Sequence, residues 1–257
     1  MVTVPERQQQ HLVSKGYQKN FANDQQQVAV LDARSGATID GGRHITSNWR
    51  AENFLTVATA AGHLDQSLEK RFQKTEGKVL DQIRRITPTR ITDKQRRALD
   101  LLAAIHLVRS QSFVGMHGQF ADGYFDDAVA DLLAEPRLAE IFESAHGRQP
   151  AEGELKSVVA EEARRLRASP DLTANAMRRI SARVPEILGR YRVQLVEVPS
   201  WMPGFVLADQ PVLHARPSEG RYGFASQLAL GDADLIMMPI RRRLLACYTV
   251  RLLPNLT

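Results

Sequence analysis

The stretch Val193-Gln194-Leu195-Val196-Glu197-Val198 decides the fold class, because the residue pattern of the chain changes here from helical to extended. Apolar and polar side chains alternate along it, which predicts a half-buried β-strand. Further strands are predicted over residues 205–208, 234–238 and 244–250, separated by turns that contain glycine or proline. The C-terminal region, residues 193–257, is therefore predicted to be β-structure.

The residues before this stretch have the apolar spacing of helices. A long amphipathic helix is predicted over about 64–86, and the capping-box pattern Thr92-Asp93-Lys94-Gln95 predicts the start of the next helix. A helix is also expected after Ser47-Asn48, either of which could cap a segment containing Phe54 and Leu55. Further helices are predicted over 124–134, 137–145, 152–168 and 172–192.

A β-hairpin is predicted near the N-terminus. Val28-Ala29-Val30-Leu31-Asp32 and Ala37-Thr38-Ile39-Asp40 are short apolar runs separated by the turn residues Ser35-Gly36. Because a two-stranded hairpin is marginally stable alone, we expect it to join the C-terminal strands in one composite sheet.

The predicted fold is α+β, with a mainly helical middle inserted between the N-terminal hairpin and the C-terminal strands. We expect a single domain over residues 1–257. It comprises an N-terminal segment and hairpin (1–45), a helical region (46–192), and C-terminal strands that pack back on the N-terminus (193–257).

Composition limits the function classes. The single cysteine, Cys247, excludes an intrachain disulfide and a cysteine-rich metal cluster. Neither a signal-peptide pattern nor an apolar run of about 18 residues is present, so we expect a cytoplasmic protein with no membrane partner. P-loop, Gly-x-Gly-x-x-Gly and Gly-x-Ser-x-Gly patterns are absent as well, which disfavours common ATPases, nicotinamide enzymes and α/β-hydrolases.

The charge balance makes nucleic acid a candidate partner. The formal net charge is +5 at pH 7, and lysine and arginine release condensed counterions when they contact phosphates. Arg241-Arg242-Arg243 are candidate phosphate contacts, because no acidic residue adjoins them in the sequence.

No metal site is predicted, and no cofactor is identified. The side chains of His11, His44, His63, Asp32 and Asp65 could ligate a metal. Their spacing, however, gives neither a His-x-x-x-His nor an Asp-x-Asp pattern.

Short motifs along the chain resemble the family called domain of unknown function 4238. Gln10-His11 followed by Asn20-Phe21-Ala22 is similar to its N-terminal signature. The stretch Phe205-Val206-Leu207-Ala208-Asp209-Gln210-Pro211-Val212 resembles its Phe-Ile-x-Ser-Asp-Asn-Pro-Val block. Arg109-Ser110-Gln111-Ser112 resembles its Arg-Thr-Pro helix end, and Pro239 its final Leu-Pro-Leu block.

The sequence departs from the family pattern in several places. Ser14 stands where the family usually has proline, Ala208 replaces a serine, and Gln210 replaces an asparagine. The stretch that begins at Arg109 also lacks the proline of the Arg-Thr-Pro block. Since no reaction is assigned to the family, the resemblance implies a site without implying a reaction.

His11 and Asp209 are the candidate catalytic residues. A carboxylate beside an imidazole can fix its tautomer and raise its basicity, which suits general-base chemistry. The alternative is structural: Asp209 would form an Asx-type turn and His11 would pin the N-terminal segment. Gln10, Arg109 and Gln210 join the three consecutive arginines as candidate binding residues.

Two functions are therefore expected as alternatives. The first is a nucleic-acid-directed effector, nuclease-like or toxin-like, that uses the His11 and Asp209 site. The second is a non-catalytic protein-interaction module in which the same residues lock the two ends of the chain together.

Overall fold

The structure, a computed structural model, describes residues 9–32, 35–39, 41–52, 54–55, 57–58, 64–167, 170–222 and 228–250. The strands are β1 (Gln9–His11), β2 (Gln27–Val28), β3 (Arg43–His44), β4 (Arg50–Glu52), β5 (Val57–Ala58), β6 (Leu64–Asp65), β7 (Arg192–Glu197), β8 (Leu213–Arg216), β9 (Arg221–Tyr222), β10 (Leu235–Arg241) and β11 (Leu244–Thr249). The α-helices are α1 (Lys15–Gln18), α2 (Ser67–Arg84), α3 (Asp93–Val108), α4 (Gln111–Leu133), α5 (Leu138–His146), α6 (Glu154–Arg167) and α7 (Pro170–Leu188).

The α+β class with a helical middle is confirmed. The long helix expected over 64–86 is α2, which buries Phe72, Leu80 and Ile83. The predicted capping box starts α3: the Gln95 amide nitrogen donates to Thr92 Oγ1 at 3.3 Å, and the Thr92 amide nitrogen donates to Gln95 Oε1 at 2.9 Å. No helix among the described residues is long and apolar enough to cross a membrane.

The C-terminal strands form one five-stranded antiparallel sheet in the order β7-β11-β10-β8-β9. Buried and partly exposed side chains alternate along β10, where Ile236, Met238 and Ile240 face the core. Three of the four predicted strands are present, as β7, β10 and β11. The prediction of a strand over 205–208 was wrong. Val206 is 81% exposed, and the Phe205 amide nitrogen donates a hydrogen bond to the carbonyl of Arg242, which lies in a loop.

The N-terminal hairpin is confirmed, with longer arms than predicted. Leu31 bridges Thr38, and β2 pairs with β3 further from the turn. Gly36 sits in the turn at φ 68°, a left-handed conformation that glycine adopts without steric cost. The predicted hairpin residues Arg34 and Asp40 lie outside the described part of the chain.

The predicted pairing of this hairpin with the C-terminal strands is corrected. In the described residues, β1 pairs with β4, β2 with β3, and β5 with β6, so no composite sheet forms. Each of these strands has only two or three residues. Such short strands satisfy their few backbone groups in local ladders, and the hairpin gains its stability from packing.

The two ends of the chain nevertheless fold together through α1 and the residues after it. The Tyr17 hydroxyl donates to the Pro239 carbonyl, and the Asn20 amide donates to the Ile240 carbonyl at 3.1 Å. The Arg242 amide nitrogen donates to the Asn20 carbonyl at 3.3 Å. Tyr17 is fully buried in a core cluster that includes Ile236, so α1 packs on the sheet directly.

The prediction of a helix after Ser47-Asn48 was wrong. Residues Arg50–Glu52 form β4, and the Trp49 carbonyl accepts a hydrogen bond from the Leu12 amide nitrogen at 2.8 Å. Trp49 has φ 47°, which a right-handed helix does not allow. The long-range pairing with β1 therefore overrides the local capping signal.

Internal contacts divide the chain into two compact units. The first, residues 1–113 and 177–257, contains the described strands and α1 to α3. The second, residues 114–176, contains α5 and α6, where the Arg148 guanidinium lies 5.4 Å from the centre of the Phe142 ring and pairs with Glu154 at 2.5 Å. The organisation as one domain stays a prediction.

Candidate functional site

Gln10 holds the N-terminal segment to the turn after β4. Its side chain is 5% exposed, and its Oε1 accepts a hydrogen bond from the Leu55 amide nitrogen at 2.5 Å. A buried amide nitrogen that loses such a partner keeps its desolvation cost. Gln10, a predicted binding residue, therefore has a structural role in this fold.

Replacing Gln10 by alanine is expected to lower the free energy of unfolding by about 1 to 3 kcal/mol, because the Leu55 amide nitrogen would lose its partner. Chemical denaturation measures the change. The neighbouring Gln9 is exposed and serves as the matched control, since Gln9→Ala removes the same side chain from the surface. Equal stability of the two variants would rule out this role for Gln10.

His11 lies in a cationic, half-buried position beside β4. Its Nε2 is 3.2 Å from the Thr46 carbonyl oxygen, which can only accept, so Nε2 donates there. Burial lowers the pKa of His11, the Arg50 charge lowers it further, and Arg109 adds a smaller effect, against the opposing Thr46 hydrogen bond. The imidazole is therefore neutral at pH 7, as a general base must be.

Arg109 is the centre of a buried ionic cluster, the Arg109 cluster, which it forms with Glu69 and Glu76 of α2. Its guanidinium is 1% exposed and pairs with Glu69 at 3.1 Å and with Glu76 at 3.0 Å. Burial raises the pKa of Glu76, whereas the Arg109 charge opposes that rise. Arg109, predicted as a binding residue, thus has both carboxylates as partners inside the fold.

His106 lies one helical turn before Arg109 and is buried beside it. Burial, with a smaller effect from the Arg109 charge, lowers the pKa of His106 to about 3. Its ring centre lies 4.6 Å from that of Tyr17, and neither ring nitrogen has a hydrogen-bond partner in the described part of the chain. The ring is thus held neutral by its surroundings.

Asp209 and Gln210 lie in an irregular segment before β8, where Asp209 is exposed. Over the described residues, the structure has no hydrogen bond or ion pair between Asp209 and His11. The predicted acid–base pair therefore has no direct bond in this structure, and the catalytic roles of both residues stay predictions.

The three consecutive arginines have different environments. Arg243 donates to the carbonyls of Pro199, Ser200 and Met202, so it holds that loop. The side chains of Arg241 and Arg242 form no hydrogen bond or ion pair with the described residues. Arg242, which is exposed, lines a cavity in the first unit.

This cavity, the aromatic–arginine cleft, is lined by Phe21, Trp49, Phe205 and Arg242, and the polar residues Asn23 and Gln27 also belong to its lining. Its volume is about 360 Å³. Neither His11 nor Asp209 is among its lining residues. The cleft brings together Arg242, from the run of three arginines, and Phe205, from the motif over residues 205–212, which are far apart in the sequence.

Backbone and ring contacts fix the walls of the cleft. The Phe21 ring packs edge-on against Tyr17, with 5.5 Å between ring centres. The Phe205 amide nitrogen donates to the Arg242 carbonyl at 2.7 Å. Glycine is required at 204, because a Cβ there would lie 2.5 Å from that same carbonyl oxygen.

Among the described residues, no three histidine, cysteine, aspartate or glutamate side chains are grouped so that they could hold a metal ion. His63 lies outside those residues. His44, also considered as a ligand, has its Nδ1 2.7 Å from the Thr46 hydroxyl.

Sequence reasoning missed the two partners of Arg109. Glu69 and Glu76 are seven residues apart, a spacing that returns to the same helix face. They share the buried face of α2 with Phe72 and Leu80. Carboxylates on an apolar helix face are the signal that could have predicted a buried cation opposite them.

The family described as "Protein of unknown function (DUF4238)" matches residues 9–255, nearly the whole chain. The chain belongs to this family. No curated protein and no solved structure matches the chain.

The residues of this DUF4238 chain that match the family motifs lie in two regions of the structure, one around His11 and Arg109 and one at the aromatic–arginine cleft. His11 and Arg109 are close enough for the Arg109 charge to lower the pKa of His11, whereas Phe205 lies in the wall of the aromatic–arginine cleft. Ser14, at the position where DUF4238 usually has proline, caps α1 by accepting from the Tyr17 amide nitrogen at 3.3 Å. Ser14 therefore has a structural role as the N-terminal cap of α1.

Proposed function

We propose that this protein is a nucleic-acid-directed effector that binds a single strand in the aromatic–arginine cleft. The observation that carries the proposal is the lining of the cleft: an arginine without an ion pair in the described chain, next to three aromatic rings. Proteins that bind single strands combine these elements, because bases stack on aromatic rings and phosphates pair with cations.

The rings suit a flat, unpaired base. Trp49 and Phe205 are partly buried, so part of each residue is accessible to a ligand. Hydrogen bonds hold the backbone at residues 49 and 205, which limits the backbone entropy lost on binding. Stacking of one base on an aromatic side chain contributes about 1 to 3 kcal/mol.

Arg242 suits the phosphate that accompanies the base. A guanidinium can donate two parallel hydrogen bonds to phosphate oxygens. No carboxylate is present among the described residues that line the cleft, so the Arg242 charge is uncompensated by them. Asn23 and Gln27 also line the cleft, and their amide groups suit contacts with a base edge or a sugar hydroxyl.

A nuclease-like or toxin-like activity extends the proposal, with His11 as the base. Its neutral imidazole and the nearby Arg50 charge are the features that favour this role. His11→Ala and Asp209→Ala are expected to reduce cleavage of RNA or DNA, or toxicity to cells, while the fold survives. Unchanged cleavage and toxicity in both variants would remove the catalytic part of the proposal.

Arg242→Ala is expected to weaken binding of single-stranded RNA or DNA and to lower the salt-dependence slope of the affinity by about one, because one phosphate contact is lost. Trp49→Leu is expected to weaken the same binding by roughly ten- to a hundredfold, from the loss of one stacked base. Fluorescence anisotropy with a labelled oligonucleotide measures both effects.

Arg97, an exposed residue of α3, provides the matched control. Arg97→Ala removes the same charge outside the cleft, so it tests whether net charge alone drives binding. An equal loss of affinity in Arg97→Ala and Arg242→Ala would contradict the proposal.

A protein-interaction module is the second candidate, and a specific observation favours it. Gln10 and the Arg109 cluster have their partners inside the fold, as a role in holding the chain together requires. If wild-type protein binds no nucleic acid while Gln10→Ala lowers its stability, the interaction module is the better description.

A further inference from the structure

A second cavity adjoins the aromatic–arginine cleft, and Trp49 lines both. Its volume is about 390 Å³, and we name it the arginine cavity after Arg43 and Arg50 in its lining. Ser47 and Asn48 line it too. Since Trp49 lines both cavities, a chain-like ligand could pass from one cavity to the other past this residue.

The arginine cavity has more positive than negative side chains. Arg43 and Arg50 are exposed and form no ion pair in the described part of the chain, so both guanidinium groups are accessible to a ligand. Among the described residues of the lining, Asp32 is the one with a carboxylate, and its Oδ1 accepts a hydrogen bond from the Ser35 amide nitrogen at 3.3 Å. Two cations against one engaged carboxylate favour an anionic ligand.

Asn48 is a buried polar residue of this lining. It is 2% exposed, and its Nδ2 is buried without a hydrogen-bond partner among the described residues. A buried donor without a partner is uncommon in folded proteins because it has lost its water and gained nothing in return. Since this nitrogen has almost no accessible surface, the case for a ligand in the cavity rests on Arg43 and Arg50.

We propose that the arginine cavity binds the phosphodiester that follows the nucleotide held in the aromatic–arginine cleft. This inference rests on the proposed function and gives it a ligand class: a single strand with at least two consecutive phosphates, in preference to a free mononucleotide. Arg43 and Arg50 pair with the phosphate oxygens.

The Trp49 backbone fits a position between two subsites. Its φ of 47° is a left-handed conformation that non-glycine residues rarely adopt. The hydrogen bond from the Leu12 amide nitrogen to its carbonyl helps hold it. The backbone of Trp49 is thereby held where both cavities are lined by this residue, and a base of the strand could stack on its ring.

The test compares oligouridylate with uridine 5′-monophosphate, each binding to the full chain. Wild-type protein is expected to bind oligouridylate more tightly. Arg43→Ala is expected to weaken oligouridylate binding about tenfold and to lower its salt-dependence slope by about one, with the monophosphate affinity unchanged. Asn48→Asp, which places a carboxylate at the same site, is expected to weaken oligouridylate binding as well.

Arg242→Ala separates this inference from the proposed function. It is expected to weaken binding of both ligands, since the cleft holds the nucleotide common to them. If Arg242→Ala weakens both while Arg43→Ala changes neither, the arginine cavity is not a subsite and the cleft remains. If Arg242→Ala and Arg43→Ala both leave the two affinities unchanged, the proposed function and this inference fail together. Circular dichroism and Arg97→Ala control for folding and for net charge.

Discussion

Replacing Arg109 by methionine is expected to lower the free energy of unfolding by about 3 to 5 kcal/mol, because two buried carboxylates would lose their shared cation. Glu69 is 8% exposed and Glu76 is 4% exposed, so neither can recover a hydration shell. The guanidinium reaches both carboxylates at once, at 3.1 Å and 3.0 Å. Urea denaturation at neutral pH, followed by circular dichroism, measures the loss.

Arg84→Met is the matched control for this prediction. Arg84 ends α2 and pairs with Asp81 at 3.2 Å, but both side chains are exposed, so the loss is expected to stay below about 1 kcal/mol. Arg109→Lys keeps the charge and loses the planar fork, so its loss should fall between the two. Similar losses in Arg109→Met and Arg84→Met would show that the cluster contributes little.

Lowering the pH from 8 to 5 is expected to reduce the free energy of unfolding by about 2 kcal/mol through His106 alone, since each pH unit below 6.5 contributes up to about 1.4 kcal/mol. The pKa of His106 is about 3 in the folded chain and has the ordinary value of 6.5 when the chain unfolds. Between these values the unfolded chain binds the extra proton. Stability due to His106 is therefore complete above pH 6.5 and is lost as the pH falls.

His106→Leu isolates this effect from the other titrating groups. Burial also lowers the pKa of His11 and of His214, so wild-type stability has further pH dependence of the same sign. The difference in unfolding free energy between wild type and His106→Leu, measured at several pH values from 8 to 5, should change by about 2 kcal/mol. A difference that is constant over this range would contradict the buried neutral imidazole.

The helices were predictable because their signals are local. The capping box at Thr92 and the apolar spacing of α2 act within a few turns of chain, and the structure has both. The segment after Ser47 carries a capping signal too, yet the hydrogen bond from Leu12 to Trp49 decides its conformation. Leu12 is 37 residues away from Trp49 in the sequence, so the residues around Trp49 give no indication of this hydrogen bond.

Strand pairing was predicted less well, for a similar reason. Instability of a lone hairpin indicates that the hairpin must pack on something, and it does not specify how. The chain brings its two ends together through Tyr17 of α1, which is buried in the same core cluster as residues of the five-stranded sheet, and the hairpin adds no strand to that sheet. The apolar run 205–208 shows the same ambiguity, because Phe205 and Val206 line the aromatic–arginine cleft instead of forming a ladder.

The candidate site was predicted in part. His11 and Arg109 were selected from the sequence, and the Arg109 charge lowers the pKa of His11. Arg242 was selected as a phosphate contact and lines the cleft. Trp49 and Asn48 were missed as site residues, because a single aromatic or amide residue has no spacing that distinguishes a ligand contact from a core or loop position.

Tryptophan fluorescence tests nucleotide binding at the aromatic–arginine cleft most directly, because the chain has two tryptophans, and the other, Trp201, is 80% exposed. In Trp201→Phe, the emission comes from Trp49 alone. Titration with single-stranded oligonucleotide is predicted to quench this emission in a saturable way, and Arg242→Ala in the same background is predicted to shift the midpoint to higher concentration. Trp49 emission that does not change while the oligonucleotide binds would contradict binding in this cleft.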